Sequence, residues 1–311
     1  MTTTPAIPED LIANALLYWG AAGRLWCIDL PQQVEALRDQ WGCEIVAPFK
    51  GAGTAYVARV RRRDGSPAVL KIPYPDLHGE RDALCSYGST YAVEVFESEG
   101  SALLLEWCNP GRALRDIASA DEARSVTLVL MAELFKTEPF PGIEQLAEQS
   151  RRYLALCHET LRAQPTLASP EIERGLAVFE ELARTQMPEV LLHGDLHPGN
   201  ILESSRRPWL VIDPKPLAGD PAYETIPLIL EIAPARGRHL AQDEINDRID
   251  LVARHLGLSP MRIAQWGAAR RCDWALFCHR AHRAARAEQA ERELRLFLGA
   301  IDAFGAMSSD A

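Results

Sequence analysis

The sequence predicts an α+β protein of two lobes, a small N-terminal lobe built on an antiparallel sheet and a larger helical C-terminal lobe. Three observations carry this. From Cys43 to Trp107 short apolar runs alternate with turn residues; Asn109-Pro110-Gly111 then breaks both strand and helix; beyond it apolar positions recur at helical spacing. Residues 1–108 are the expected first domain and 109–311 the second, and 311 residues suffice to bury a core in each.

Ahead of the sheet, residues 8–20 and 31–41 read as two helices. Pro8, Glu9 and Asp10 start the first and Gly20 stops it; Pro31 starts the second, with Leu30, Val34 and Leu37 on one face. Residues 54–60 and 67–72 read as strands around Asp64-Gly65, a hairpin signal, and further strands are expected at 92–97 and 102–107. Between these pairs Asp76 would cap a helix running through Glu80, Ala83 and Leu84. After the boundary, helices are expected near 121–137, 143–163 and 171–186. Short strands and a loop interrupt them at 190–213, and helices resume near 222–232, 242–257 and 260–306, the last broken more than once.

The composition, 47% hydrophobic and 24% charged, is ordinary for a globular chain. Lys and Arg number 33 against 43 Asp and Glu, and the net charge of −10 argues against nucleic acid or an anionic membrane as partner. Seven cysteines form no Cys-x-x-Cys pair, and an odd count suits reduced thiols and a cytoplasmic location. Neither a positively charged leader nor a long apolar run opens the chain, and the aliphatic stretch 226–233 is interrupted by Pro227 and Glu231.

The most informative segment runs from His193 to Asp213: His193-Gly194-Asp195-Leu196-His197-Pro198-Gly199-Asn200, a polar turn, then Trp209-Leu210-Val211-Ile212-Asp213. Asn200 follows Asp195 by five residues and Asp213 follows Asn200 by thirteen. Phosphoryl transfer needs this set: a carboxylate to accept the proton of an attacking hydroxyl, and an amide oxygen with a second carboxylate to hold Mg²⁺ against nucleotide phosphates. The bland alternative is that Asp195 caps a turn and Asp213 ends a strand. A metallophosphoesterase would need Asn-His-Glu and His-x-His partners, which are missing.

His-Gly-Asp-x-His-x-x-Asn followed by Ile-Asp-Pro resembles the catalytic core of the aminoglycoside phosphotransferase family, relatives of the protein kinases. The continuation Asp213-Pro214-Lys215-Pro216-Leu217-Ala218-Gly219-Asp220-Pro221-Ala222-Tyr223-Glu224 resembles its streptomycin 6-kinase and hydroxyurea phosphotransferase branch. The resemblance implies a protein-kinase-like fold, ATP and Mg²⁺, Asp195 as base, and Asn200 and Asp213 as metal ligands.

Other residues acquire roles in this light. Gly51 and Gly53, with Thr54, lie between strand-like runs where a phosphate loop belongs, although a plain hairpin turn would look the same; Walker A is absent, so a kinase-type flap is expected. Lys71 ends the apolar run Ala68-Val69-Leu70 and resembles the strand lysine that holds α- and β-phosphates, its alternative being an edge-strand lysine. Glu80 is the candidate partner of Lys71, nine residues on, a shorter spacing than in protein kinases. By resemblance the backbone of Glu106 and Cys108 would meet the adenine edge. Lys215 departs from the protein-kinase pattern, and would either neutralise the transferring phosphoryl group or pair with Asp213 or Asp220. His193 would orient the loop, and Asp220 would cap the following helix.

The resemblance implies a small-molecule acceptor, an aminoglycoside by default; a metabolic alcohol of choline, homoserine or sugar type would use the same core. A nucleotide-binding regulator without activity is a third reading, disfavoured because base, metal ligands and strand lysine are all present. From Arg236 onward twelve Arg face ten acidic residues, so carboxylates for a polycation are sparse: Glu224 and Glu231, seven apart on one helix face, and Asp273.

Overall fold

The computed structural model describes residues 6–51, 53–75, 77–117, 119–185, 189–231 and 240–309, with the side chains of 231 and 307–309 left out. The chain begins α1 (Glu9–Trp41), β1 (Glu44–Pro48), β2 (Ala55–Arg61), β3 (Pro67–Pro73), α2 (Glu80–Tyr91), β4 (Val95–Glu99), β5 (Ala102–Glu106) and β6 (Pro110–Ala113). It continues α3 (Leu114–Ile117), α4 (Ala120–Leu134), α5 (Leu146–Ala163), α6 (Pro170–Leu182), β7 (Val190–Leu192), β8 (Ile201–Ser204), β9 (Trp209–Val211) and β10 (Leu217–Gly219). Five helices close it: α7 (Pro221–Glu224), α8 (Ile226–Glu231), α9 (Gln242–Leu256), α10 (Pro260–Arg280) and α11 (Ala284–Ser309).

Two compact units result, Met1–Ala113 with Ile201–Lys215, and Leu114–Asn200 with Pro216–Ala311. In the first, a five-stranded antiparallel sheet has the order β1-β2-β3-β5-β4, and a three-stranded sheet the order β6-β8-β9. The β2–β3 turn forms at Asp64-Gly65: Gly65 has φ 84°, and Asp64 Oδ1 accepts the Ser66 N–H at 2.9 Å. Trp26, Leu30, Val34 and Leu37 of α1 pack with Tyr56, Ala58, Leu70 and Leu104 of the sheet in one core.

Helix α1 differs from the two helices expected. The break lies at Gly20 (φ 57°, ψ −130°), as read from sequence, but the second part starts there and carries Pro31 in its interior. An interior proline costs about 3 kcal/mol or more. The stripe Trp26, Cys27, Leu30, Val34, Leu37 is buried on both sides of it, and at about 1.5–3 kcal/mol per large apolar side chain outweighs that cost. An 18-residue window of α1 reaches a mean hydropathy of 1.2, enough by length and composition alone to cross a membrane. Its buried stripe is instead part of the first unit's core.

The second unit is mainly helical. Ser169 and Ser259 each accept a backbone N–H of the first turn (Ile172 and Arg262, both at 3.3 Å), and each is followed by a proline already set at helical φ. Ile249 and Val252 of α9, Trp266 and Cys272 of α10 and Leu294 and Phe297 of α11 are buried. The expected 222–232 helix is two short ones, α7 and α8, and the 260–306 helix breaks once, between Arg280 and Ala284, where His282 adopts φ 54°. Strands β7 and β10 pair antiparallel, Leu192 opposite Leu217.

Gly23 follows the Gly20 break so closely on Ala15 that a Cβ would lie 2.1 Å from the Ala15 carbonyl oxygen. Because that obstacle is backbone, Gly23→Ala should destabilise the protein by about 1–3 kcal/mol, the usual worth of overpacking. Urea unfolding checks this, and an unchanged midpoint would show that the two parts of α1 separate freely.

Candidate active site

The first unit holds an ionic cluster centred on Lys71. The residue lies in register with Val57 of β2 and Leu103 of β5. Its side chain is 8% exposed, and Nζ stands 2.6 Å from Glu80 Oε1 and 2.5 Å from Asp213 Oδ1. Lys215 Nζ is 3.2 Å from Asp213 Oδ2. Two cations therefore face two carboxylates. Burial opposes the charge on Lys71, but Glu80 and Asp213 outweigh it and raise its pKa. Burial also opposes the charge on Asp213, where Lys71 and then Lys215 prevail and hold the carboxyl well below the usual carboxylate range. Asp213 has φ 59°, a region that Asp enters more readily than most L-residues. Glu80 is the first residue of α2, and the cap position is Gly79, not Asp76, which lies outside the described residues.

Gly51 (φ 78°) and Gly53 (φ 70°) shape the β1–β2 loop, with Ala52 between them outside the described residues. The Gly51 N–H donates to Asp10 Oδ2 at 2.5 Å, and Asn14 Nδ2 donates to the Gly53 carbonyl at 3.1 Å. The Thr54 carbonyl accepts the Tyr74 N–H at 3.2 Å. At the end of β5, the Glu106 N–H donates to the Glu94 carbonyl at 2.9 Å. The Glu106 carboxylate accepts Arg206 Nε at 2.9 Å and Nη2 at 2.6 Å. Arg206 also donates to the carbonyls of Ser89 and Ala92. Cys108 is buried, and burial first, then the Glu106 charge, pushes its thiol up to about 12. Nothing local in the turn Ser205-Arg206-Arg207 marks Arg206, because its partners lie about a hundred residues earlier.

The second unit holds the Asp195 loop. His193, buried, follows β7 directly, and Gly194 turns the chain at φ 80°. The Asp195 side chain is 35% exposed, with His197 Nε2 4.0 Å from Oδ1. His197 Nδ1 accepts the Gly199 N–H at 3.0 Å, which puts the neutral ring's proton on Nε2, toward Asp195. Asn200 ends a single tight turn, and its Nδ2 donates to the Asp195 carbonyl at 2.9 Å. That bond fixes the amide with its oxygen as the remaining acceptor.

Glu224, expected to face an acceptor, does not. It is 1% exposed, and its two oxygens accept the N–H groups of Gly194 at 2.7 Å and Leu196 at 3.1 Å, the residues on either side of Asp195. The side chain of Glu231 lies outside the described residues. Asp273 is half-buried, with Cys157 Sγ at 3.5 Å from Oδ1. Burial raises its pKa against the pull of Cys157 and of Arg280, Arg271 and Arg270. Asp220 caps α7 through the Ala222 N–H at 2.9 Å and also accepts Arg262 Nε at 2.6 Å and Trp266 Nε1 at 2.7 Å. A cavity of about 700 Å³ lined by Gln145, Glu148, Arg151, Glu180 and Trp266 meets the motif segment at Ala218, Gly219 and Asp220 and includes neither Asp195 nor Asp213.

This is a protein-kinase-like fold. The chain covers 85% of its length at TM-score 0.58 and 17% identity on an aminoglycoside phosphotransferase APH(4)-Ia, 97% of which is matched. It covers 85% at TM-score 0.56 and 14% identity on the choline kinase LicA from Streptococcus pneumoniae, of which 98% is matched. Residues 42–282 match the profile of the aminoglycoside/hydroxyurea antibiotic resistance kinases, and the chain belongs to that family. It is 34% identical over 277 residues to a hydroxyurea phosphotransferase of Kitasatospora aureofaciens, spanning 86% of this chain and 79% of the relative. It is 30% identical over 283 residues to a streptomycin 6-kinase of Streptomyces glaucescens, spanning 87% and 90%.

An amide in place of the Glu224 carboxylate would turn an NH₂ group toward one of the two backbone N–H groups and leave that buried donor unpaired, at a cost of about 1–3 kcal/mol. Glu224→Gln should therefore lower the melting temperature, slow turnover and speed amide exchange at Gly194 and Leu196. Unchanged exchange there would remove Glu224 as the anchor of the loop.

Proposed function

We propose that the chain is an ATP- and Mg²⁺-dependent phosphotransferase that moves the γ-phosphoryl group to a hydroxyl of a small molecule, an aminoglycoside-type antibiotic being the first acceptor to try. The observation that carries this reading is the buried Lys71, held between Glu80 and Asp213. An ammonium so fixed suits α- and β-phosphate oxygens. The Gly51–Gly53 loop with Thr54 would cover the phosphates, and the backbone at Glu106 and Cys108 would meet the adenine edge. Residues 1–108 are on this reading the nucleotide-holding region, completed by Asp213 and Lys215, and 109–311 carry the base and the acceptor site.

Asp195 accepts the proton of the acceptor hydroxyl while its oxygen bonds to the γ-phosphorus; the bond from that phosphorus to the β–γ bridging oxygen breaks and ADP leaves. His197, its proton directed at Asp195, and Glu224, which holds the loop on either side, keep the carboxylate in place. The metal ligands on this reading are Asp213 and the Asn200 amide oxygen, and hard oxygen donors of this kind fit Mg²⁺. Bound there, the ion would neutralise charge on the nucleotide phosphates. Lys215 would add positive charge for the transferring group.

A second reading concerns the acceptor. Burial of Glu224 removes one of the sparse carboxylates a polycation would need, and arginines surround Asp273. Those facts favour an uncharged acceptor such as hydroxyurea. The net charge of −10 supports a small molecule over nucleic acid or an anionic membrane, and a cytoplasmic location fits seven free cysteines.

Single-turnover transfer from γ-labelled ATP to streptomycin, hydroxyurea and common metabolite alcohols tests the reading. Asp195→Asn should lower turnover by roughly 10²–10⁴, the worth of a positioned base, with nucleotide affinity retained; turnover within a few-fold of the parent would take Asp195 out of the mechanism. Asp213→Ala should abolish Mg²⁺-dependent ATP binding in calorimetry, because one amide and water cannot replace its carboxylate. Unchanged binding would sink the metal assignment.

A further inference from the structure

Helix α1 begins far ahead of residue 42, where the match to the family profile starts. Its first part carries two polar side chains four residues apart, hence on one face, and both reach the glycine loop. Asp10 takes the Gly51 N–H and Asn14 donates to the Gly53 carbonyl. The partners lie 41 and 39 residues apart in sequence, so helix register and tertiary packing, not local chain geometry, bring them together. A Cβ placed on either glycine would meet nothing within 4 Å, so each glycine has open space on that side.

The two parts of α1 are anchored unequally. Beyond Gly20 the helix buries Gly23, Trp26, Cys27, Leu30, Val34 and Leu37, whereas before it only Leu11 and Ala15 are buried. Trp19 adds a stacked contact with Tyr74 at 3.8 Å, while Ile12, Leu16 and Tyr18 are exposed. Gly20, at φ 57°, separates the lightly held part from the firmly held one. Segments with few buried contacts open at the lowest free energy.

We propose that residues 9–19 are a latch displaced by nucleotide: the Asp10 carboxylate occupies the Gly51 amide that a phosphate oxygen takes when ATP binds. The proposal rests on the reading of the Gly51–Gly53 loop as a phosphate loop. An amide hydrogen serves one strong acceptor at a time, and a carboxylate beside the polyphosphate repels it as well, so the two anions exclude each other. Asn14 holds the loop carbonyl and contributes no charge; it keeps the latch in register. The effect of the latch is on affinity, and turnover at saturating ATP is left as it is.

The test uses the full chain with Mg²⁺ and ATP. Asp10→Asn keeps a hydrogen-bond acceptor and removes the charge, and Asp10→Ala removes both. Asp10→Ala should tighten ATP binding by roughly three- to tenfold, the worth of one lost competing bond, and Asp10→Asn, which loses the charge alone, by less, with saturated turnover unchanged in both. Glu9→Gln, a neighbouring charge without the contact, should leave affinity as in the parent. Hydrogen exchange in the unaltered protein gives a second measurement that stands even if a variant unfolds: saturating ATP should speed exchange across 9–19. Weaker or equal ATP binding in the Asp10 variants, or slower exchange across 9–19 with ATP, would overturn the latch and make α1 a fixed support of the loop. Lys71→Ala separates the two failures. If it weakens ATP binding and the Asp10 variants do nothing, only the latch fails; if it has no effect on ATP, the nucleotide reading fails with it.

Discussion

A cation buried in a protein must be surrounded by its counterions, and in this chain that constraint falls on Lys71. With 8% of its side chain exposed, it is held by Glu80 and Asp213, which come from α2 and from the segment after β9. Removing one partner of a buried pair leaves the other charge uncompensated, at a cost of about 3–5 kcal/mol. The sheet, the helix and the returning segment are thus tied at one point. Lys215 brings the cluster to two positive and two negative groups: Glu80 and Asp213 hold the charge on Lys71, Lys71 and then Lys215 hold that on Asp213, and burial raises the pKa of Glu80. On the phosphotransferase reading, nucleotide and metal would enter a site whose charges are already balanced, and would have to redistribute those pairings.

Four carboxylates of similar appearance in the sequence do four different things. Asp195 is presented at the surface of its loop; Asp213 lies between two lysines; Asp220 closes a helix N-terminus and receives an arginine and an indole. Glu224 is sealed off and spends both oxygens on the backbone beside Asp195. Their roles follow from burial and from which donors each one meets. A carboxylate buried to 1% exposure and bonded to the backbone through each oxygen is closed to a substrate, however well its spacing along a helix suits one.

This division explains what could be read from the chain alone. The strands flanking Asp64-Gly65, the helices near 171–186 and from 260 onward, the break at Gly20 and the family of the 193–224 segment were all legible, because each depends on residues within a few positions of one another. The passage of α1 through Pro31 was not, since a buried stripe on both sides overrides a local rule. Arg206 reading Glu106, and Glu224 turning inward, depend on partners 100 and about 30 residues away that no spacing rule connects. Glu80 lay at a spacing too short for comfort, and its contact with Lys71 arises because β3 ends at Pro73 and α2 starts on Glu80 itself.

The return of Ile201–Lys215 to the first unit bears on how the chain is made. Among the described residues, strand β6 pairs with β8, and the second carboxylate on Lys71 is Asp213. As the polypeptide leaves the ribosome, the five-stranded sheet is available early, but a lysine in its interior waits for a residue 142 positions later to be synthesised. The first unit therefore cannot complete itself until residues 201–215 have been made. A truncated product ending near residue 113 would leave Lys71 without one of its two carboxylate partners and β6 with an unpaired edge, and such an edge is what aggregation acts upon.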